Sequence, residues 1–145
     1  MVLGTIAVVF FADNFIGPFQ GFLITLGVPI AAWCGIMLAD IALRRRDYAE
    51  AELFDPRGRY GSVQPVPLVL LLVGTVVGWG LVTNTFASWL DWQGYLLEPL
   101  GLGGRDGSWA FAHLGVLAAF LIGLLGTLAL RRSAVHVQER VDSSR

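Results

Sequence analysis

The stretch GIMLADIALRRRDYAEAELFDPRGRYG, residues 35–61, decides the fold class of this chain. It carries an uncharged apolar run into Asp40 and the triplet Arg44-Arg45-Arg46, and it continues to a turn sequence at Asp55-Pro56-Arg57-Gly58. Arginines that close an apolar span stay on the cytoplasmic side of a membrane. The stretch therefore predicts a transmembrane helix whose C-terminal end faces the cytoplasm, followed by a cytoplasmic loop.

The composition of the whole chain points the same way. Hydrophobic residues make up 55% of the sequence and charged residues 14%, against roughly 45–50% and 25% in soluble domains. The apolar residues form long blocks at 19–43, 67–90 and 109–130, and Asp40 is the one charge within them. Each block exceeds the roughly 20 residues that a helix needs to cross a bilayer, and lipid demands internal backbone hydrogen bonding. We predict an all-α integral membrane protein with transmembrane helices at these three blocks.

The arginines also predict the topology. All ten basic residues are arginines: five lie between the first two blocks, four follow the last block, and Arg105 is alone between the second and third. By the positive-inside rule, the 44–66 loop and the 131–145 tail are cytoplasmic and the 91–108 loop is extracellular. We therefore predict a multi-pass protein of the cell's inner (plasma) membrane with a cytoplasmic C-terminus. Aromatic residues at both edges of the outer loop fit an interfacial belt: Trp89, Trp92, Tyr95 and Trp109.

The N-terminal segment 1–12 is apolar but short, since twelve helical residues extend roughly 18 Å. The simplest interpretation is a partial transmembrane helix, the back half of a span. A genuine short protein with a re-entrant start is the alternative.

Glycine and proline residues occur within the predicted helices. Pro29 lacks an amide hydrogen and predicts a bend between residues 25 and 29, which is either an ordinary membrane-helix kink or a hinge. Gly74 and Gly78 have the small-xxx-small spacing that allows helices to approach closely. Further glycines lie in the last block, at Gly115, Gly123 and Gly126. We expect these glycines to serve packing within the chain rather than a homodimer.

Few residues could carry chemistry. Asp40 is an intramembrane carboxylate and so a functional candidate, but a structural i,i+4 pair with Arg44 at the interface is the simpler explanation and is preferred. His113 is expected to be an interfacial polar group. A single cysteine, Cys34, predicts neither a disulfide framework nor a zinc site, and no catalytic or phosphate-binding motif is present. The sequence predicts a protein that is not an enzyme, with no catalytic residues, no metal and no cofactor, and its net charge of −1 gives no indication of nucleic-acid binding.

One set of residues carries a family resemblance: Leu38-Ala39-Asp40, Tyr48, Leu53-Phe54 and Gly58-Arg59-Tyr60. A helix that ends in Leu-Ala-Asp with basic residues, followed by this loop pattern, resembles the cytosine/purine permeases of the nucleobase:cation symporter family. The resemblance extends over the chain as the end of span nine and spans ten to twelve of a twelve-span inverted-repeat (LeuT-like) transporter. One departure is the segment 62–65, Ser-Val-Gln-Pro, where the family usually has Gly-x-Asn.

The resemblance implies a secondary active transporter that carries nucleobases such as cytosine or purines with a cation, H⁺ or Na⁺. It places a gate in the outer half of the first full helix, at Phe22, Thr25, Leu26 and the Pro29 hinge. Substrate and cation residues belong to spans one, three, six and eight, so no substrate-binding residue can be assigned here. The expected partners are the lipid bilayer, the remaining transporter helices, a nucleobase and the co-transported cation. As a fragment, the chain is not expected to transport alone. The alternative is a small standalone multi-span membrane protein with an assembly or regulatory role.

Overall fold

A computed structural model describes residues 2–44 and 64–132, with side chains from residue 15 onward. Its regular elements are three α-helices, which we number α1 (Val2–Leu43), α2 (Pro65–Gly80) and α3 (Leu114–Leu130). Two single-turn 3-10 helices, Ser88–Leu90 and Gly104–Asp106, lie between α2 and α3. No strand occurs in the described ranges, so this part of the chain is all-helical, as predicted.

Helix α1 is longer than the sequence indicated. The segments 1–12 and 19–43 were predicted as separate helices, but one helix runs from Val2 to Leu43 and contains Pro18 and Pro29. A proline removes one intrahelical hydrogen bond, whereas a full break in apolar surroundings would free several backbone groups that have no other partner. Continuation is therefore the less costly solution. Within α1, residues Phe15–Leu43 form the one described helix that is long and apolar enough to cross a membrane.

Helix α2 begins close to its predicted start but ends early. Pro65 occupies the first turn, where its missing amide costs nothing. The helix was expected to reach residue 90 and instead ends at Gly80. The carbonyls that this end leaves free accept hydrogen bonds from backbone amides further along: Gly94 donates to Trp79 O at 3.0 Å and Leu96 donates to Gly80 O at 2.8 Å. The end of α2 is thus set by a distant segment.

Helix α3 begins at Leu114 rather than at the predicted residue 109. His113 precedes it with a φ of 50°, a left-handed conformation that is rare outside glycine and that separates the helix from the turns at 107–112. The predicted 91–108 loop is therefore part of a longer connecting segment, residues 81–113. This segment is packed rather than peripheral, since Val82, Leu90 and Leu97 are buried.

The three helices approach closely at glycines. A Cβ on Gly78 would lie 2.8 Å from Gly115 O, and one on Gly35 would lie 2.9 Å from Leu124 N, while Gly123 faces the backbone of Ala32. Distances of this kind leave no room for a side chain, so backbones pack directly against one another. The predicted packing of Gly78 and Gly123 within the chain is confirmed. Contacts of Gly78 with Val28 and of Gly74 with Ala32 show that α2 is antiparallel to α1.

Candidate functional site

The missing amide of Pro29 is compensated by a side chain from α2. In a regular helix the amide of residue 29 would donate to the carbonyl of residue 25, and proline cannot do so. The indole Nε1 of Trp79 donates to Thr25 O at 2.9 Å instead. A buried carbonyl without a partner is costly in apolar surroundings, so Trp79 stabilises α1 at the position where its hydrogen bonding is interrupted.

The hydroxyl of Thr25 is the centre of a second set of hydrogen bonds. It donates to Gly21 O one turn earlier, at 2.9 Å. It accepts from Gln93 Nε2 at 2.9 Å and more distantly from Asn84 Nδ2 at 3.4 Å. Asn84 Nδ2 also donates to Gly21 O at 2.8 Å. Trp79, Asn84 and Gln93, which we call the donor cluster, therefore converge on one turn of α1.

Two of the three members of the donor cluster are enclosed by protein, and Trp79 is half-buried. Asn84 is 0% exposed and Gln93 is 1% exposed. Gly21 makes the close approach possible, because a Cβ there would lie 2.9 Å from Leu90 Cδ1 and 3.0 Å from Asn84 Oδ1. Asn84 Oδ1 accepts from the amide of Phe86 at 3.3 Å. Gln93 Oε1 is buried and has no hydrogen-bond partner among the described residues, so this end of the network is incompletely satisfied.

The structure brings together two of the four predicted gate residues. Thr25 is bound by the donor cluster, and Pro29 lies one turn further along α1. Phe22 and Leu26 are on the outside of the bundle, 48% and 41% exposed. The assignment of these four residues to a gate stays a prediction.

A second buried polar group, which we call the ion-pair end, consists of Asp40, Arg44 and Arg131. Asp40 Oδ2 lies 2.8 Å from Arg44 Nε and Asp40 Oδ1 lies 2.8 Å from Arg131 Nη1. The side chains of both pairs are only 8–9% exposed. The predicted Asp40–Arg44 pair is confirmed. Arg131 was not predicted as a partner, and it joins the C-terminal end of α1 to that of α3.

The connecting segment presents aromatic side chains on its surface. Trp89, Trp92 and Trp109 are about half exposed, and the ring of Trp92 packs edge-on against Trp79 with centroids 5.4 Å apart. The hydroxyl of Tyr95 donates to Val76 O near the end of α2. Desolvation by burial raises the pKa of Tyr95 above its ordinary value of 10.0.

The chemistry of these groups is that of hydrogen bonding rather than proton or electron transfer. Tryptophan, asparagine, glutamine and threonine are neutral donors and acceptors. Among the residues with described positions, no group of three or more His, Cys, Asp or Glu could hold a metal ion. The donor cluster therefore binds one turn of α1 through neutral hydrogen bonds.

Sequence reasoning did not single out Trp79 or Gln93. A signal for Trp79 was available, because a tryptophan in an apolar helix needs an acceptor for its indole N–H and Pro29 leaves one carbonyl free. Gln93 had no local signal, since its partner is 68 residues away in the sequence.

No protein-family model matches the sequence, and no curated protein or solved structure shows significant similarity to it. Function is therefore inferred from the residues themselves.

Proposed function

We propose that this chain is an integral membrane protein. The observation that carries the proposal is the distribution of polarity. Apolar side chains line the outside of α1 at nearly every turn from residue 15 to 41, and each is 37–60% exposed. These residues are Phe15, Phe19, Phe22, Leu26, Ile30, Trp33, Met37 and Ile41. Polar and charged side chains are buried between the helices: Asp40, Thr75, Thr83, Asn84, Gln93, Thr127 and Arg131. Water would disfavour so large an apolar surface, whereas lipid favours it and drives polar groups to the interior.

Within the membrane, we propose that the chain forms part of a secondary active transporter for nucleobases, such as cytosine or purines, driven by H⁺ or Na⁺. The resemblance of the Leu38-Ala39-Asp40 motif and its following loop to nucleobase:cation symporters supports this function. The interrupted hydrogen bonding at Pro29 adds support, since such carriers place their substrate and ion sites beside interrupted helices. In this proposal Phe22, Thr25, Leu26 and Pro29 form a gate, and the exposed side of α1 faces the remaining transporter helices.

A second candidate is a small multi-span membrane protein with an assembly or regulatory role. It is favoured by the close contacts that the described helices make with one another. Gly35, Gly78, Gly115 and Gly123 are all used in contacts between α1, α2 and α3, and the ion-pair end joins α1 to α3. Such a unit does not need further helices to complete these interfaces.

Membrane insertion and orientation are tested on the full chain expressed in cells. We expect the protein to stay in the pellet after alkaline carbonate extraction. In a Cys34→Ser background, single cysteines introduced as Arg140→Cys and Asp106→Cys report topology through a membrane-impermeant maleimide. Labelling of position 106 but not of position 140 in intact cells agrees with the predicted orientation. The reverse pattern contradicts it, and a soluble protein contradicts membrane insertion.

Transport is tested by complementation. Cells without cytosine uptake receive this chain alone, a cytosine permease truncated before its tenth span, or both. We expect labelled cytosine to accumulate only with both chains. Uptake with the chain alone contradicts the proposal that it is one part of a carrier. Failure of both together, with the chain stably inserted and folded, favours the assembly or regulatory role.

A further inference from the structure

We propose that the donor cluster is a releasable clamp on α1, which holds the arm before Pro29 (residues 15–28) against α2 and the connecting segment. The inference deepens the proposed function, because it names what holds the predicted gate. The clamp itself is a property of the folded chain and can be measured without transport.

The first step is the convergence of three donors on one helical turn. Trp79 Nε1, Asn84 Nδ2 and Gln93 Nε2 come from α2 and the connecting segment, and their acceptors are Gly21 O, Thr25 Oγ1 and Thr25 O. These acceptors lie directly before Pro29, where α1 lacks one of its own hydrogen bonds. The clamp therefore acts where the helix is least able to hold its own geometry.

The second step is that these bonds can be released. All three donors are neutral, and neutral hydrogen bonds are about half as strong as charge-assisted ones. Asn84 and Gln93 are in irregular backbone rather than in a helix, and Gly94, with a φ of 82°, follows Gln93 directly. Gln93 Oε1 has no partner in the described part of the chain. Breaking these three bonds leaves no buried charge without a partner, so their release costs less than separation at the ion-pair end.

The third step is the contrast with the rest of α1. Beyond Pro29, Gly35 lies against the backbone of α3, and Asp40 is in buried ion pairs with Arg44 and Arg131. Backbone contact and buried charge pairs both resist separation. When the clamp opens, motion is therefore expected in the arm, with Pro29 as the pivot, and it is largest away from Val28, which is buried against Gly78.

The experiment measures amide hydrogen exchange by mass spectrometry on the full chain in detergent micelles. Trp79→Phe removes the indole N–H and keeps an aromatic ring. Since a neutral hydrogen bond contributes about 1 kcal/mol, which equals roughly a 5-fold change in an opening equilibrium, we expect exchange in residues 19–28 to accelerate roughly 5-fold and exchange in residues 31–40 to stay unchanged. Trp92→Phe is the matched control, because Trp92 packs on Trp79 and is not one of the three donors to this turn.

A second variant tests whether Trp79 replaces the missing amide. Pro29→Ala restores an amide at residue 29 that can donate to Thr25 O. In that background Trp79→Phe is expected to accelerate exchange by less than about 2-fold, because the carbonyl keeps a partner. Equal acceleration in both parts of α1, no acceleration at all, or an undiminished effect in the Pro29→Ala background would each overturn the clamp. Cytosine uptake in the complementation assay is a separate measurement. If the transport proposal fails, the hydrogen-exchange result still tests the clamp.

Discussion

The two ends of this helical unit hold α1 by different chemistry. At the ion-pair end a buried carboxylate lies between two guanidinium groups, close to where glycines bring backbones into direct contact. At the other end neutral side-chain donors bind one turn of α1 beside a proline. Both ends are buried. The two ends differ in what would remain if α1 separated from its partners. An uncompensated buried charge would remain at the ion-pair end, whereas a few neutral groups would remain at the donor cluster.

This difference predicts unequal mobility along a single helix. Removing one member of a buried charge pair typically costs several times as much as removing one neutral hydrogen bond. A helix that is fixed by charge and backbone contact in one part and by neutral donors in the other is expected to open more readily in the part that the neutral donors hold. The comparison is testable by weakening each end separately and measuring the free energy of unfolding in detergent.

The largest effect is expected at the ion-pair end. Asp40→Asn removes the buried negative charge and leaves the Arg131 side chain, only 8% exposed, without its carboxylate. We expect a loss of about 3 to 5 kcal/mol, measured by denaturant unfolding followed by circular dichroism. Asp91→Asn is the control, because its partner Arg105 and Asp91 itself are 40% and 60% exposed, and such surface pairs contribute less than about 1 kcal/mol. Equal losses in the two variants would remove the distinction between the ends.

The second largest loss of unfolding free energy is expected at the glycine contacts next to the ion-pair end. In Gly35→Ala the new Cβ would lie against Phe120 O and 2.9 Å from Leu124 N, and neither backbone atom can rotate away. Overpacking of this kind costs about 1 to 3 kcal/mol. Gly27→Ala is the matched control on the same helix, since nothing lies within 4 Å of its Cβ and alanine is the better helix former by about 0.5 to 1 kcal/mol. The two substitutions are expected to change unfolding free energy in opposite directions.

The donor cluster should show a smaller effect. Asn84→Ala removes a donor to Gly21 O, which keeps the Thr25 hydroxyl as a partner. We expect a loss of about 1 to 2 kcal/mol, and a faster exchange of the arm than of residues 31–40. A loss as large as that of Asp40→Asn would show that both ends are equally rigid.

The sequence predicts the local features of this fold and misses the distant ones. The helical class and the Asp40–Arg44 pair follow from block length and from i,i+4 spacing, which depend only on neighbouring residues. The second partner of Asp40 is 91 positions away, and the end of α2 at Gly80 depends on residues 94–96. The donor cluster is likewise a tertiary arrangement. Such contacts leave no periodic signal, because they are created by the packing of the helices themselves.

The smallest expected effect concerns a threonine between the helices, and it has the opposite sign. Thr127 is 0% exposed, and its hydroxyl has no hydrogen-bond partner among the described residues. Thr75 is also buried, but its hydroxyl donates to Leu71 O at 2.7 Å. Replacing a buried unpartnered hydroxyl with a methyl group of the same shape removes a desolvation cost without opening a cavity. Thr127→Val is therefore expected to stabilise the protein by about 1 kcal/mol, whereas Thr75→Val should be neutral or destabilising. If both valine variants lose stability in the same unfolding assay, the Thr127 hydroxyl has a partner and the interior of the bundle is more polar than the comparison of its two ends assumes.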